Sequence, residues 1–119
     1  MKKYAMYIGR WQNWHKGHEW LIRQQLDNGK NVWVAIRDVT EDENNPKTAQ
    51  QILKELSAEP FFMNNFDKIL LSIIPDIESV NYGRGVGYDV IYHEPPVDVA
   101  VISGTAIRNG EMNNDGSTT

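Results

Sequence analysis

Apolar positions along this chain fall into short runs separated by polar, turn-forming stretches, and the runs follow two different periods. Tyr4, Ala5, Met6, Tyr7 and Ile8 read as a short strand, and Val32, Trp33, Val34, Ala35 and Ile36 form an unbroken apolar run of the kind that suits a parallel strand covered on both faces. Between them Trp20, Leu21, Ile22 and Leu26 give a helical pattern over Glu19 to Leu26, and Asn28-Gly29 supplies its stop. Arg37-Asp38 ends the second strand, Thr40 to Asn45 is a polar, acidic loop, and Pro46 opens a helix with an apolar stripe at Ala49, Ile52, Leu53 and Leu56. Residues 58–66 read as irregular or briefly helical, with Phe61, Phe62 and Phe66 packing inward. Ile69 to Ile74 predicts a third strand, stopped by Pro75-Asp76. A loop with turn glycines then leads to a fourth strand around Tyr88 to Tyr92, with His93 at its end, and Val97 to Ile102 makes a fifth.

Strands alternating with helices predict an α/β protein: a Rossmann-like, parallel five-stranded sheet flanked by helices, in a single small domain over residues 1–108. The polar residues 109–119 read as a short tail. Such sheets hold their ligands in a crevice beyond the carboxyl ends of the strands.

With 119 residues the chain has room for one core, and it contains no cysteine, which excludes a disulfide framework, a cysteine nucleophile and a thiolate metal site. The cysteine-free composition and the lack of a long apolar span lead us to expect a cytoplasmic protein with no membrane partner. A formal charge of −4 argues against nucleic acid as a general partner, which calls for a basic surface. Local positive charge in an acidic chain points instead to a focused anion pocket.

Such a concentration of charge lies at the first strand-to-helix junction, Gly9-Arg10-Trp11-Gln12-Asn13-Trp14-His15-Lys16-Gly17-His18. A helix start offers unpaired N–H groups and partial positive charge to an anion. Gly9 and Gly17 would let phosphate oxygens approach the main chain, His15 and His18 lean to one side of the first turn, and Arg10 and Lys16 add charge independent of histidine protonation. A second candidate, Ile102-Ser103-Gly104-Thr105-Ala106-Ile107-Arg108, follows the last apolar run. Ser103 there reads as an N-cap, Gly104 and Thr105 as main-chain donors, and Thr105 and Arg108 share a helix face, pairing a hydroxyl with a phosphate-binding guanidinium. Taken singly, each of these residues reads as a solvated surface residue or part of an ordinary capped helix, and only their grouping favours an anion site.

The first stretch is similar to the GRFQPxHxGH motif of the nucleotidyltransferase superfamily, whose hallmark is HxGH, and the second resembles that superfamily's ISSTxxR motif. Trp11 stands where the pattern has Phe, Asn13 where it commonly has Pro, and Gly104 where it has Ser. The resemblance, to cytidylyltransferase-like and nicotinamide-mononucleotide adenylyltransferase-like domains, implies transfer of a nucleoside monophosphate from a nucleoside triphosphate to a phosphorylated small-molecule acceptor, with release of pyrophosphate. It further implies that His15, His18, Lys16 and Arg108 are catalytic, and that Gly9, Arg10, Gly17, Ser103, Gly104 and Thr105 bind the nucleotide. ATP is slightly favoured over CTP, and Mg²⁺ would arrive as the metal-nucleotide complex, since no carboxylate cluster has metal-ligand spacing.

For the acceptor, Arg37, Asp76, Tyr82 and Arg84 lie just beyond the second and third strands and are the candidates for contact. The alternative is a non-catalytic nucleotide-binding module derived from this fold. The few residues after the second motif point to a domain that is minimal, dependent on homo-oligomerisation, or part of something larger.

Overall fold

The structure, a computed structural model, describes residues 2–100. Its elements run β1 (Tyr4–Gly9), α1 (Lys16–Leu26), β2 (Asn31–Asp38), α2 (Ala49–Ala58), α3 (Pro60–Met63), β3 (Ile69–Pro75) and α4 (Val97–Ala100). Together they make a small α/β fold in which a three-stranded parallel sheet, ordered β1-β2-β3, is flanked by helices.

Local chemistry explains most of the boundaries. Gly29, at φ 78, terminates α1, and its N–H returns to the Leu26 carbonyl at 3.0 Å. Helix α2 begins at Ala49, later than Pro46, because Thr48 and Gln51 form a reciprocal capping box: the Thr48 hydroxyl accepts from Gln51 N–H while the Gln51 carboxamide accepts from Thr48 N–H. Pro60 occupies the first turn of α3, where its missing N–H costs nothing.

The centre of the sheet matches the sequence pattern. Val32, Val34, Ala35 and Ile36 of β2 are fully buried, and Ile22, Leu26, Ile52, Leu56, Phe61 and Phe62 pack over the same face as Tyr7. Phe66 departs from expectation: it lies beyond the turn that closes α3 and is 80 % exposed.

Three of the five expected strands form among the described residues. Tyr88 to Tyr92 has the β-branched and aromatic composition of a strand but pairs with no strand among the described residues. Val97–Ala100 is a helical turn, started by the Pro95-Pro96 pair and closed by Val99 N–H on the Pro96 carbonyl, where a strand was expected to begin. The remainder of that expected strand, the motif at Ile102 to Arg108 with Ser103, Gly104, Thr105 and Arg108, and the tail at 109–119 lie outside the described residues. No helix among the described residues is long and apolar enough to cross a membrane.

Candidate functional site

Strand β1 ends at Gly9 on the carboxyl side of the sheet, and the next six residues turn the chain into α1. Trp11 makes that turn at φ 54, a left-handed conformation uncommon for a bulky side chain. It is held there by burial and by its indole Nε1–H, which donates to the Ala35 carbonyl of β2 at 3.0 Å. Gly9 makes the arrangement feasible, because a Cβ at this position would lie 2.9 Å from the indole Cε2. Gly9→Ala is therefore expected to push the indole off Ala35 and to cost about 1–3 kcal/mol, the usual range for overpacking, measurable by urea unfolding.

His15 is the N-cap of α1. Its Nδ1 accepts the Gly17 N–H at 3.0 Å, and its carbonyl takes the N–H groups of His18 at 3.0 Å and Glu19 at 3.2 Å. A neutral imidazole that accepts at Nδ1 carries its proton on Nε2, so the cap fixes His15 as an Nε2–H donor. Gly17 has the same role here as Gly9: a Cβ would meet His15 Cε1 at 2.8 Å and Nδ1 at 2.9 Å. The space beside both glycines is thus filled by rings of the turn itself.

His18 stacks on His15 with ring centroids 3.8 Å apart and planes at 21°. Trp11 meets it edge-on at 5.2 Å and Trp14 lies at 5.5 Å; Trp14 in turn packs against Phe61 and Phe62. Burial pushes the His15 imidazole below its ordinary range, and burial together with the neighbouring His15 pushes His18 down to about 3. Both rings are therefore neutral at pH 7. The His18 Nδ1 is buried with no hydrogen-bond partner among the described residues. An unpaired buried nitrogen of this kind costs about 1–3 kcal/mol.

The flanking cations are placed differently. Lys16 is exposed and reaches Glu19 at 3.7 Å. Arg10 is exposed and sits by the Asp42 loop; the Asp42 carboxyl is held below the usual carboxylate range by the Asn45 main-chain N–H first, with Arg10 adding to the effect. Arg37 and Asp76, both candidates for acceptor contact, bind one another: Arg37 Nε and Nη2 share Asp76 Oδ1 at 2.9 and 2.7 Å, and Nη2 also donates to the Ile77 carbonyl. Their pairing ties the chain leaving β3 to the end of β2. Tyr82 and Arg84 are exposed on the following segment and make no hydrogen bond or ion pair among the described residues.

Gln12, which matches the Gln of the first motif, is a contributor to which the sequence reading gave no role. Its carboxamide Nε2 donates to the Lys47 carbonyl and its Oε1 accepts the Lys47 N–H, both at 3.0 Å, which locks the loop before α2 against the β1–α1 turn. Its match to the motif's Gln is the sequence signal that pointed to it. Among the described residues no group of three or more His, Asp or Glu is placed to hold a metal ion. An apolar groove of about 330 Å³ between Ser57, Phe62, Met63, Phe66, Ile69 and Leu71 opens at the amino end of β3, the opposite end of the sheet from the histidine turn.

Comparison with protein-family models, with curated proteins and with solved structures returned no match to this chain.

Proposed function

We propose that the chain is a nucleotidyltransferase that passes a nucleoside monophosphate from a nucleoside triphosphate, ATP in preference to CTP, to a phosphorylated small-molecule acceptor. The observation that carries this reading is the stacked pair His15 and His18 at the N-terminus of α1, beyond the carboxyl end of a parallel strand. Parallel α/β sheets place their ligands at that end, and a helix N-terminus favours phosphate. The resemblance of Gly9 to His18 and of Ile102 to Arg108 to two phosphate-binding motifs of one superfamily supports the same conclusion. On this reading β1-β2-β3 is one half of a Rossmann-like sheet.

An acceptor phosphate oxygen attacks the α-phosphorus in line; the new P–O bond forms as the bond to the β-phosphate oxygen breaks, and pyrophosphate leaves with that electron pair. The nucleophile is already anionic near neutral pH, so the protein's task is alignment and stabilisation of developing charge. His15 supplies an Nε2–H fixed in direction by its own cap, and His18 supplies a second neutral imidazole in a desolvated setting, where a hydrogen bond to phosphate is stronger than in water. Lys16 and Arg10 add exposed positive charge at the rim; Gly9 and Gly17 seat the rings. Ser103, Gly104, Thr105 and Arg108 would hold the leaving pyrophosphate, and Mg²⁺ bound to the nucleotide would share its charge. Arg37, Asp76, Tyr82 and Arg84 are assigned to the acceptor side, Arg37 and Asp76 as a pair.

Pyrophosphate release tests the reading: the full chain with Mg²⁺ is given each of ATP, CTP, GTP and UTP against a panel of phosphorylated acceptors. Turnover, highest with ATP, is expected. Tight triphosphate binding with no turnover for any pair would favour the non-catalytic module, and neither binding nor turnover would overturn both.

A further inference from the structure

The turn at residues 10–15 and the loop at residues 39–48 leave the carboxyl ends of neighbouring parallel strands, β1 and β2, and so border the same crevice. Trp11 ties the turn to β2 through the Ala35 carbonyl. Gln12, the next residue, ties it to the loop by two hydrogen bonds with a single partner, giving Nε2–H to the Lys47 carbonyl and taking the Lys47 N–H at Oε1, each at 3.0 Å. The pair copies one rung of a β-ladder, with a side chain in place of a second strand. Arg10 of the turn also lies by Asp42 of the loop, opposite charges brought together by the same closure.

The loop is built to move as one piece. Asp42 Oδ1 accepts the Asn44 N–H at 2.8 Å, the Asn45 N–H at 2.7 Å and the Asn45 Nδ2–H at 3.0 Å, which folds residues 42–45 on themselves with Asn45 buried. At its far end Thr48 and Gln51 complete the cap of α2. None of these bonds involves Gln12, so loss of the two bonds to Lys47 frees the loop from the turn and leaves the internal order of the loop in place. Neutral hydrogen bonds exchanged against water are worth little net, and Gln12 is only half-buried, so the closed arrangement is one whose population a ligand can bias.

We propose that Gln12 is a positioning residue for the triphosphate: its carboxamide latches the β2–α2 loop onto the histidine turn, and the latched turn is the state that binds. The inference rests on the nucleotidyltransferase reading of that turn. Arg10 precedes Gln12 and His15 and His18 follow it, on the segment whose path the latch fixes. Where the latched state binds the triphosphate more tightly than the open one, linkage requires bound triphosphate to hold the latch shut by the same factor. A factor of about ten lies within the ordinary range of such coupling.

Amide exchange on the full chain, followed by NMR with and without saturating Mg-ATP, reads the latch directly. The Lys47 N–H should exchange about tenfold more slowly with Mg-ATP bound, whereas the Asn45 N–H, bonded inside the loop, should keep its rate. Gln12→Met, which keeps the length of the side chain and removes both bonds, should raise the dissociation constant for Mg-ATP by a comparable factor. Should that variant lose its circular-dichroism spectrum, exchange in the unaltered chain decides alone. Lys47 exchange indifferent to bound Mg-ATP, an equal slowing at Asn45, or a folded Gln12→Met variant that binds Mg-ATP as the unaltered chain does would each overturn the latch and leave the triphosphate site standing. An unaltered chain that binds no Mg-ATP would overturn the reading of the turn, and the latch with it.

Discussion

His18→Ala is expected to lower turnover by roughly 10²–10³ at saturating triphosphate, the loss seen when one donor aimed at transition-state charge is removed. The effect should fall on kcat more than on KM, because charge on the α-phosphate and the leaving pyrophosphate grows as the reaction proceeds and the ground state gains less from the contact. The ring also packs between His15, Trp11 and Trp14, so the alanine variant loses stability as well as chemistry. The rate is therefore compared well below the unfolding midpoint of the variant, with His18→Asn as a second substitution that keeps polarity and part of the volume. An unchanged kcat in both variants would remove His18 from the reaction.

Acid should destabilise the fold strongly and earlier than carboxylate titration alone would. Burial keeps His15 and His18 neutral in the folded chain, with His18 at about 3, whereas imidazoles of the unfolded chain titrate near the ordinary 6.5. Below 6.5 the unfolded state binds more protons than the folded state, so stability is fully present above that pH and is lost as pH falls toward 3. His18 alone accounts for about 3 kcal/mol between pH 7 and pH 4. His15 acts in the same direction, and for a geometric reason: a protonated Nδ1 is a donor and can no longer accept the Gly17 N–H that caps α1. Urea unfolding at pH 7, 5.5 and 4 should show this decline, and His18→Asn should flatten it. Equal stability at pH 7 and pH 4 would contradict the buried, neutral pair.

The sequence pattern carried the central strand and both longer helices because their apolar residues are core: Val32, Val34 and Ile36 of β2 pack in the same cluster as Ile22 and Leu26 of α1, and Ala49, Ile52 and Leu56 line one side of α2. It carried less at the ends. Pro46 reads as the helix opener, whereas the side-chain exchange between Thr48 and Gln51 starts α2 at Ala49. Tyr88 to Tyr92 and Val97 have β-forming side chains, but a strand exists only where a neighbour accepts its hydrogen bonds, and a turn begun by Pro95-Pro96 takes Val97 into α4.

At the candidate site the spacing of His15 and His18 placed both on one side of the helix start, as the structure has them. It did not reveal that His15 would spend Nδ1 on its own helix, that Trp11 would fill the space beside Gly9, or that Arg37 would pair with Asp76. Each of these depends on a contact between elements or on a ring orientation, and neither is written in residue spacing.

The most direct measurement of the central claim is the response of the histidine ring nitrogens to Mg-ATP, followed by NMR on the full chain. Phosphate contact at the turn predicts saturable shifts of the His15 and His18 resonances, with His15 Nε2 keeping its proton. Saturable ATP binding that leaves both rings unmoved, or no binding at all, would contradict the assignment of the Gly9 to His18 turn as a triphosphate site.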